Sequence, residues 1–311
     1  MTIDLEENCV LAYDVGGSHV AAAVCCGREF HLGPVVSAPH PVERTSEAFL
    51  DLLHDLGVKA GATEKRKIGA VLAVPGPFDL QAGVSLMRHK LPYLYGVDLR
   101  GALAVRFGIE PAQVRFLNDA DAFLLGEIGA GAARGFRRAV GLTLGTGIGA
   151  AFAVDGRVVA DGPGVPHGGE IWNLPYESGI VEDFVSSRAI AGSYQRRTGI
   201  KREVVDLAGE VRNDPAAEHA FAEFGRHLGE VIRSLLAGFG AEVIVLGGSI
   251  SRSADLFLPA VRARMGDSPT QLRVSALKDS APLVGCGVAA FKSSDAGADG
   301  SDPKSVRAAS L

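Results

Sequence analysis

The chain has 311 residues, enough for one large or two ordinary domains around a sizeable core. It is 47% hydrophobic and 22% charged with a formal net charge of −5, a balance that gives no electrostatic footing for nucleic acid or an anionic membrane as partner. No uninterrupted apolar run approaches membrane-spanning length, and the acidic opening "MTIDLEENCV" does not read as a signal peptide, so a cytoplasmic protein is expected.

In chain order, Val10–Tyr13 and Val20–Val24 are expected as strands around the turn "DVGGSH". Ser46–Leu56 has the apolar spacing of an amphipathic helix, and Lys67–Val74 is a buried strand running into the turn-former "PGP". "FDLQAGVSL" predicts a hairpin, Leu99–Phe107 a helix, Val114–Leu117 a strand and Ala120–Gly129 a helix. Ala139–Leu144 and Ala150–Val154 are strands joined by "GTGIG". A long helix is expected over Ala216–Phe239, then the strand of "EVIVLGGSIS" with its glycine turn. The closing segment "SSDAGADGSDPKSVRAASL" is small and polar, as in a disordered tail. Cys9, Cys25, Cys26 and Cys286 have no metal-ligand spacing. They are expected as buried thiols, with Cys25 and Cys26 on opposite faces of a strand.

One internal repeat organises the chain. "GGSHVAAAVCCGR" (Gly16–Arg28) aligns without gaps with "GTGIGAAFAVDGR" (Gly145–Arg157). Each copy has an apolar strand, a glycine turn and a second apolar strand. The long spacing fits a duplicated domain rather than a solenoid, and two such tips facing one cleft could grip a polyanion from two sides.

The glycine turns admit two readings. "LGTGIGA" is no dinucleotide fingerprint, because a strand rather than a helix follows it. It is either a tight hairpin or a cradle in which backbone N–H groups and the Thr146 hydroxyl hold phosphate oxygens. "DVGGSH" places Asp14 at a strand end before Gly16, Gly17 and Ser18, which suits either an Asx-type turn or a Mg²⁺ beside phosphate. "VRFLNDADAF" (Val114–Phe123) ends a buried strand in Asn118, Asp119 and Asp121. Those acids are either chemistry or a helix cap, and at i and i+2 the two aspartates do not share a helix face.

"DVGGS", "VPGPFD", "LNDADAFLLGE", "LTLGTGIGA", "GGEI" and "VIVLGGSIS" stand in an order that resembles the ROK family of sugar kinases, over roughly Leu11–Lys292. The resemblance implies an α/β protein of the actin-like ATPase (ribonuclease H-like) fold with a central cleft. Residues 1–117 with 284–293 would form the sugar-side domain and 118–283 the nucleotide-side domain, with 294–311 as the tail. It implies Asp119 as the catalytic base, and Asn118, Glu170, Glu182 and Gly76 as sugar-binding positions. Gly16, Gly17, Ser18, Gly145, Thr146, Gly147, Gly247, Gly248 and Ser249 would bind ATP. Asp14 would hold Mg²⁺, directly or through water. Asp121 is left to the helix N-terminus.

The chain also departs from the pattern. Asn173 stands where many relatives carry a histidine, and no cysteine lies between Cys26 and Cys286, so zinc is not expected. The loop would instead be ordered by Trp172, Leu174 and Tyr176. Trp172 is read as core before sugar stacking, and His167 as a loop residue or a sugar contact; His19 receives no role. Lys90 replaces a common asparagine near the sugar pocket. With the phosphate motif beginning at Asp14, the DNA-binding segment of repressor relatives is not expected here. The expected activity is ATP-dependent phosphorylation of the 6-hydroxyl of glucose or a related hexose. Fructose, mannose or an N-acetylhexosamine is the alternative acceptor, and a non-catalytic sugar-binding regulator the alternative class. Homodimers occur among relatives, and no sequence feature demonstrates one here.

Overall fold

The computed structural model describes residues 9–62 and 68–295; the acidic opening, Lys67 and the tail beyond Asp295 lie outside the described residues. The elements run β1 (Cys9–Val15), β2 (His19–Cys26), β3 (His31–Leu32), β4 (Val36–Pro39), α1 (Ser46–Ala60), β5 (Ala70–Val74), β6 (Phe78–Asp79) and β7 (Val84–Ser85). Next come α2 (Leu99–Phe107), β8 (Val114–Asn118), α3 (Asp119–Ala130), β9 (Arg138–Leu144), β10 (Ile148–Val154), β11 (Arg157–Val159), β12 (Pro175–Tyr176) and β13 (Gly179–Ile180). They end with α4 (Val181–Phe184), α5 (Ser187–Thr198), α6 (Val204–Glu210), α7 (Pro215–Leu235), β14 (Val243–Gly247), α8 (Ala254–Met265), β15 (Gln271–Val274) and α9 (Ala281–Asp295). The chain divides into two compact units, residues 1–134 with 279–311, and residues 135–278.

The sheet of the first unit runs β3-β2-β1-β5-β8, with β4 also pairing β2. Strand alternation sends Leu11, Tyr13 and Val15 of β1 into one core with Phe49, Leu53 and Leu103, and Val10 and Ala12 into a second with Ala122, Leu283 and Cys286. Both faces are therefore covered, which is why β1, β2 and β5 read as nearly continuous apolar runs. The sequence reading divided the chain before α3, whereas this division keeps α3 with the first unit. The physical tie is a close crossing with α9: a methyl group on Gly126 would collide with the Ala281 carbonyl, and one on Gly285 with the Ala122 carbonyl.

The second unit repeats the plan with the sheet order β11-β10-β9-β14-β15. Asp214 caps α7, accepting from Ala216 N at 2.8 Å, with Pro215 at the first helical position. Phe221, Phe224, Leu228, Val231 and Ile232 then bury one face of that helix. The helix expected to reach Phe239 stops at Leu235. A 3₁₀ turn, Ala237–Phe239, closes it, with Gly240 in the left-handed region (φ 66°). The duplication is visible as two antiparallel hairpins, β1–β2 and β9–β10, with tips at 16–18 and 145–147.

The cysteine expectation needs correction. β1 begins at Cys9, one residue earlier than the apolar run suggested, and register sets Cys9 directly opposite Cys26, where the two form a disulfide. Only Cys25 and Cys286 are buried free thiols. Cys25 does point to the face opposite Cys26, toward α9. Among the described residues no helix is long and apolar enough to cross a membrane.

Candidate active site

In the first unit, three parallel strands end at one edge of the sheet. Register pairs Asp14 with Ala73 and Ala73 with Leu117, so the Gly16–Ser18 turn, the turn holding Gly76 and the Asn118–Asp119 step leave the sheet side by side. With strands about 4.8 Å apart, the backbones carrying Asp14 and Asp119 are roughly 10 Å apart. This carboxyl edge is where parallel α/β sheets place ligands. A methyl group on Gly17 or Gly76 would meet nothing within 4 Å, so both turns present bare backbone to open space.

Asp14 keeps part of its surface open, yet its carboxyl is pushed up to about 7, first by burial and then by the Asp119 and Asp279 carboxylates. Asp279, in the short turn before α9, was not singled out from the sequence, because its place beside Asp14 is created only by the return of the chain. A cation at Asp14 would favour the ionised form against both pressures. Among the described residues no group of three or more His, Cys, Asp or Glu side chains could hold a metal ion. One carboxylate with phosphate oxygens and water is the donor set Mg²⁺ uses, so Asp14 fits the ion and no all-protein cage is needed.

In "LNDAD" Asp121 stands in the first turn of α3, at the helix N-terminus as expected. Asn118 is the N-cap of α3: its Oδ1 accepts from Ala120 N at 3.0 Å and Asp121 N at 3.4 Å. Asp119 is the first helical residue, with Oδ1 accepting from Ala120 N at 2.9 Å. Asp121 is buried in the first turn, where its charge complements the helix dipole. The cap uses the Asn118 Oδ1 and not its amide nitrogen, and it fixes Asp119 on a rigid strand-to-helix step.

In the second unit, Gly145 N donates to Gly147 O at 2.9 Å across the hairpin tip, and Thr146 is exposed. Gly247 pairs with Thr143, so the Gly247–Ser249 turn leaves the sheet beside that tip. Gly248 has φ 79°, and a side chain there would collide with the Leu144 carbonyl. Ser249 Oγ lies 3.8 Å from where a Gly145 Cβ would stand, so the two glycine turns touch.

Glu182 packs against the same tip: a methyl on Gly147 would collide with its Oε2. A carboxylate there opposes phosphate, and the Arg188 guanidinium, 2.7 Å from Glu182 Oε1, offsets it. No sequence signal marks Arg188, since only the fold brings α5 to the turn. Trp172 links the two predicted sugar carboxylates, donating Nε1–H to Glu170 Oε2 at 3.0 Å and accepting from Glu182 N at 3.0 Å through its carbonyl. It is 41% exposed, so the expectation of a core tryptophan is overturned: its indole N–H is spent on Glu170. Tyr176 and Leu174 order the loop instead, Tyr176 through a 2.9 Å bond to His227 Nδ1. His167 is exposed and faces Asp161 at 3.6 Å.

Residues 10–290 match the ROK family description. The chain belongs to the ROK family. Its α/β architecture is the actin-like ATPase fold. Among relatives of this ROK chain, the glucokinase of Thermotoga maritima is 30% identical over 220 residues, covering 62% of this chain and 67% of that one. The N-acetyl-D-glucosamine kinase of Pectobacterium carotovorum is 27% identical over 67% of this chain and 72% of its own. The crystal structure of the ROK hexokinase from Thermus thermophilus superposes with a TM-score of 0.75 at 27% identity, covering 93% of this chain and all of that one.

Proposed function

We propose that this chain is an ATP-dependent hexose kinase that phosphorylates the 6-hydroxyl of glucose or a close relative in the cytoplasm. The single observation that carries the reading is the strand-end edge of the first unit. There Asp119, capped in place by Asn118, stands near the electrostatically loaded Asp14 and two bare glycine turns. Family membership and relatives named as sugar kinases support it.

In this reading the Asp119 carboxylate orients the acceptor hydroxyl and takes its proton as the oxygen bonds to the γ-phosphorus and the β–γ bridge breaks to release ADP. Asn118, Gly76, Glu170 and Glu182 hold the sugar; a carboxylate can accept two hydroxyls with charge-assisted strength. Gly16–Ser18, Gly145–Gly147 and Gly247–Ser249 hold the nucleotide through backbone N–H groups. Bound Mg²⁺ at Asp14 would neutralise charge on the phosphates. Residues 1–117 with 284–293 and 118–283 are the proposed sugar and nucleotide sides.

A coupled ADP-release assay with ATP over glucose, mannose, fructose, N-acetylglucosamine and N-acetylmannosamine tests the proposal, and sugar-phosphate formation is measured directly when polyphosphate, which yields no ADP, replaces ATP as donor. Turnover stimulated by one hexose supports it. Sugar binding by calorimetry with no turnover would establish the regulator instead.

A further inference from the structure

His40 is a buried histidine that the mechanism above does not use, and its backbone N–H and both ring nitrogens are engaged. It follows β4, whose pairing with β2 sets Pro39 opposite His19 and so brings the next residue to the hairpin tip. Its backbone N–H donates to Ser18 O at 3.2 Å and its ring Nε2 lies 2.8 Å from Gly16 O. A carbonyl only accepts, so Nε2 carries the hydrogen, and neutral Nδ1 is left to accept from the Tyr93 hydroxyl at 3.2 Å. The ring stacks on Phe49, 5.7 Å between centroids, and Phe49 meets Tyr93 edge-on at 6.1 Å. The Arg44 guanidinium sits 5.9 Å from the Tyr93 ring centre. Burial lowers the His40 pKa, with Arg44 and His19 adding to that and the Gly16 bond opposing it, so the neutral ring this pattern requires is the favoured form.

We propose that His40 is the positioning residue of the Gly16–Ser18 turn, with its tautomer set by the Gly16 carbonyl and its ring held in place by Tyr93. It pins both ends of that turn, one through the ring and one through the backbone, and leaves Gly17 bare. The inference rests on the reading of this turn as a nucleotide-phosphate site. Tyr93 lies three residues after Lys90, so the grip on nucleotide is tied to the segment whose lysine is the chain's departure near the sugar side.

The test is calorimetric binding of Mg-ATP, with KM for ATP and for sugar, in wild type, His40→Ala, His40→Gln and Tyr93→Phe. His40→Ala is expected to weaken Mg-ATP about tenfold, the scale of one lost buried hydrogen bond, with sugar KM moved less than twofold. His40→Gln keeps a donor for Gly16 and is expected to recover to within about threefold. Tyr93→Phe, which removes one oxygen and leaves the fold intact, is expected to give a smaller loss of the same sign. Equal ATP affinity in His40→Ala and wild type, equal losses in Ala and Gln, or parallel rises in both KM values would overturn the assignment. Wild type that binds no Mg-ATP would overturn the turn reading and this inference together, whereas wild type that binds while His40→Ala is unaffected overturns this inference alone.

Discussion

Gly126 of α3 and Gly285 of α9 meet where the two helices cross, the backbone nitrogen of Gly285 lying 3.1 Å from where a Gly126 Cβ would stand. No side chain separates the helices at that point, so backbone packs on backbone. Because α3 begins at Asp119, this crossing also fixes the orientation of the proposed base. Gly285→Ala is expected to cost about 2 kcal/mol or more, since the obstruction is a carbonyl and not a flexible side chain. Urea denaturation measures the loss, and an unchanged midpoint would show that the helices separate freely.

Asp119→Asn is expected to lower kcat by 10²-fold or more while sugar affinity stays within about tenfold, the pattern of a group acting in the transition state. Asp121→Asn should change turnover little. Steady-state kinetics with a calorimetric sugar titration separates the two. Similar kcat in both variants would remove Asp119 from the chemistry.

The double use of Asn118 can be dissected. Asn118→Ala should lose about 1 kcal/mol of stability with the cap and also weaken sugar binding. Asn118→Asp keeps an oxygen for the cap and loses the amide N–H donor, so stability should hold while sugar KM rises. An aspartate variant with unaltered sugar KM would leave Asn118 as a cap only.

His227 predicts an acid-side instability. Burial lowers its pKa from the ordinary 6.5, and Arg226, 2.9 Å from Nε2, opposes a second proton. Above pH 6.5 the ring is neutral folded or unfolded and its contribution is complete. As pH falls below 6.5 the unfolded chain binds a proton that the folded chain refuses, so stability drops until the folded ring also titrates. Thermal unfolding from pH 7.5 to 5 should show a steeper fall in wild type than in His227→Gln, and parallel curves would refute this.

Thiol counting checks the disulfide. Burial pushes the Cys25 thiol up to about 12 and raises Cys286 as well, so neither should react with a thiol reagent at pH 8 in the native protein. Unfolding should release two thiols, and reduction four. Four thiols on unfolding alone would mean that Cys9 and Cys26 are not joined.

Local pattern made much of the first unit legible. The hairpin β1–β2, the helix Leu99–Phe107 and the β8–α3 step follow from apolar runs broken by a glycine turn, helical spacing and an Asx cap, all written within a few residues. What the sequence did not disclose depends on geometry that only the fold creates, whether the partners lie far apart or near in the chain. Asp279 reaches Asp14 only after α9 returns, and Arg188 meets Glu182 only because α5 follows the short helix at Val181. Trp172 looked like core because its indole is apolar, whereas it is exposed with its N–H bonded to Glu170, which composition cannot show. The Cys9–Cys26 bond was missed because it depends on the first residue of a strand, the point at which pattern is least informative.

The return of α9 has a bearing on synthesis. Residues 135–278 are one uninterrupted stretch and can close their core as soon as they leave the ribosome. The first unit emerges earlier but waits: until Leu283, Cys286 and the glycine notch of α9 arrive, one face of β1 and β5 and the notched side of α3 stand bare. The segment made first is thus completed last, and in a nascent chain stalled before residue 281 the uncovered sheet is where chaperones or proteases would find purchase.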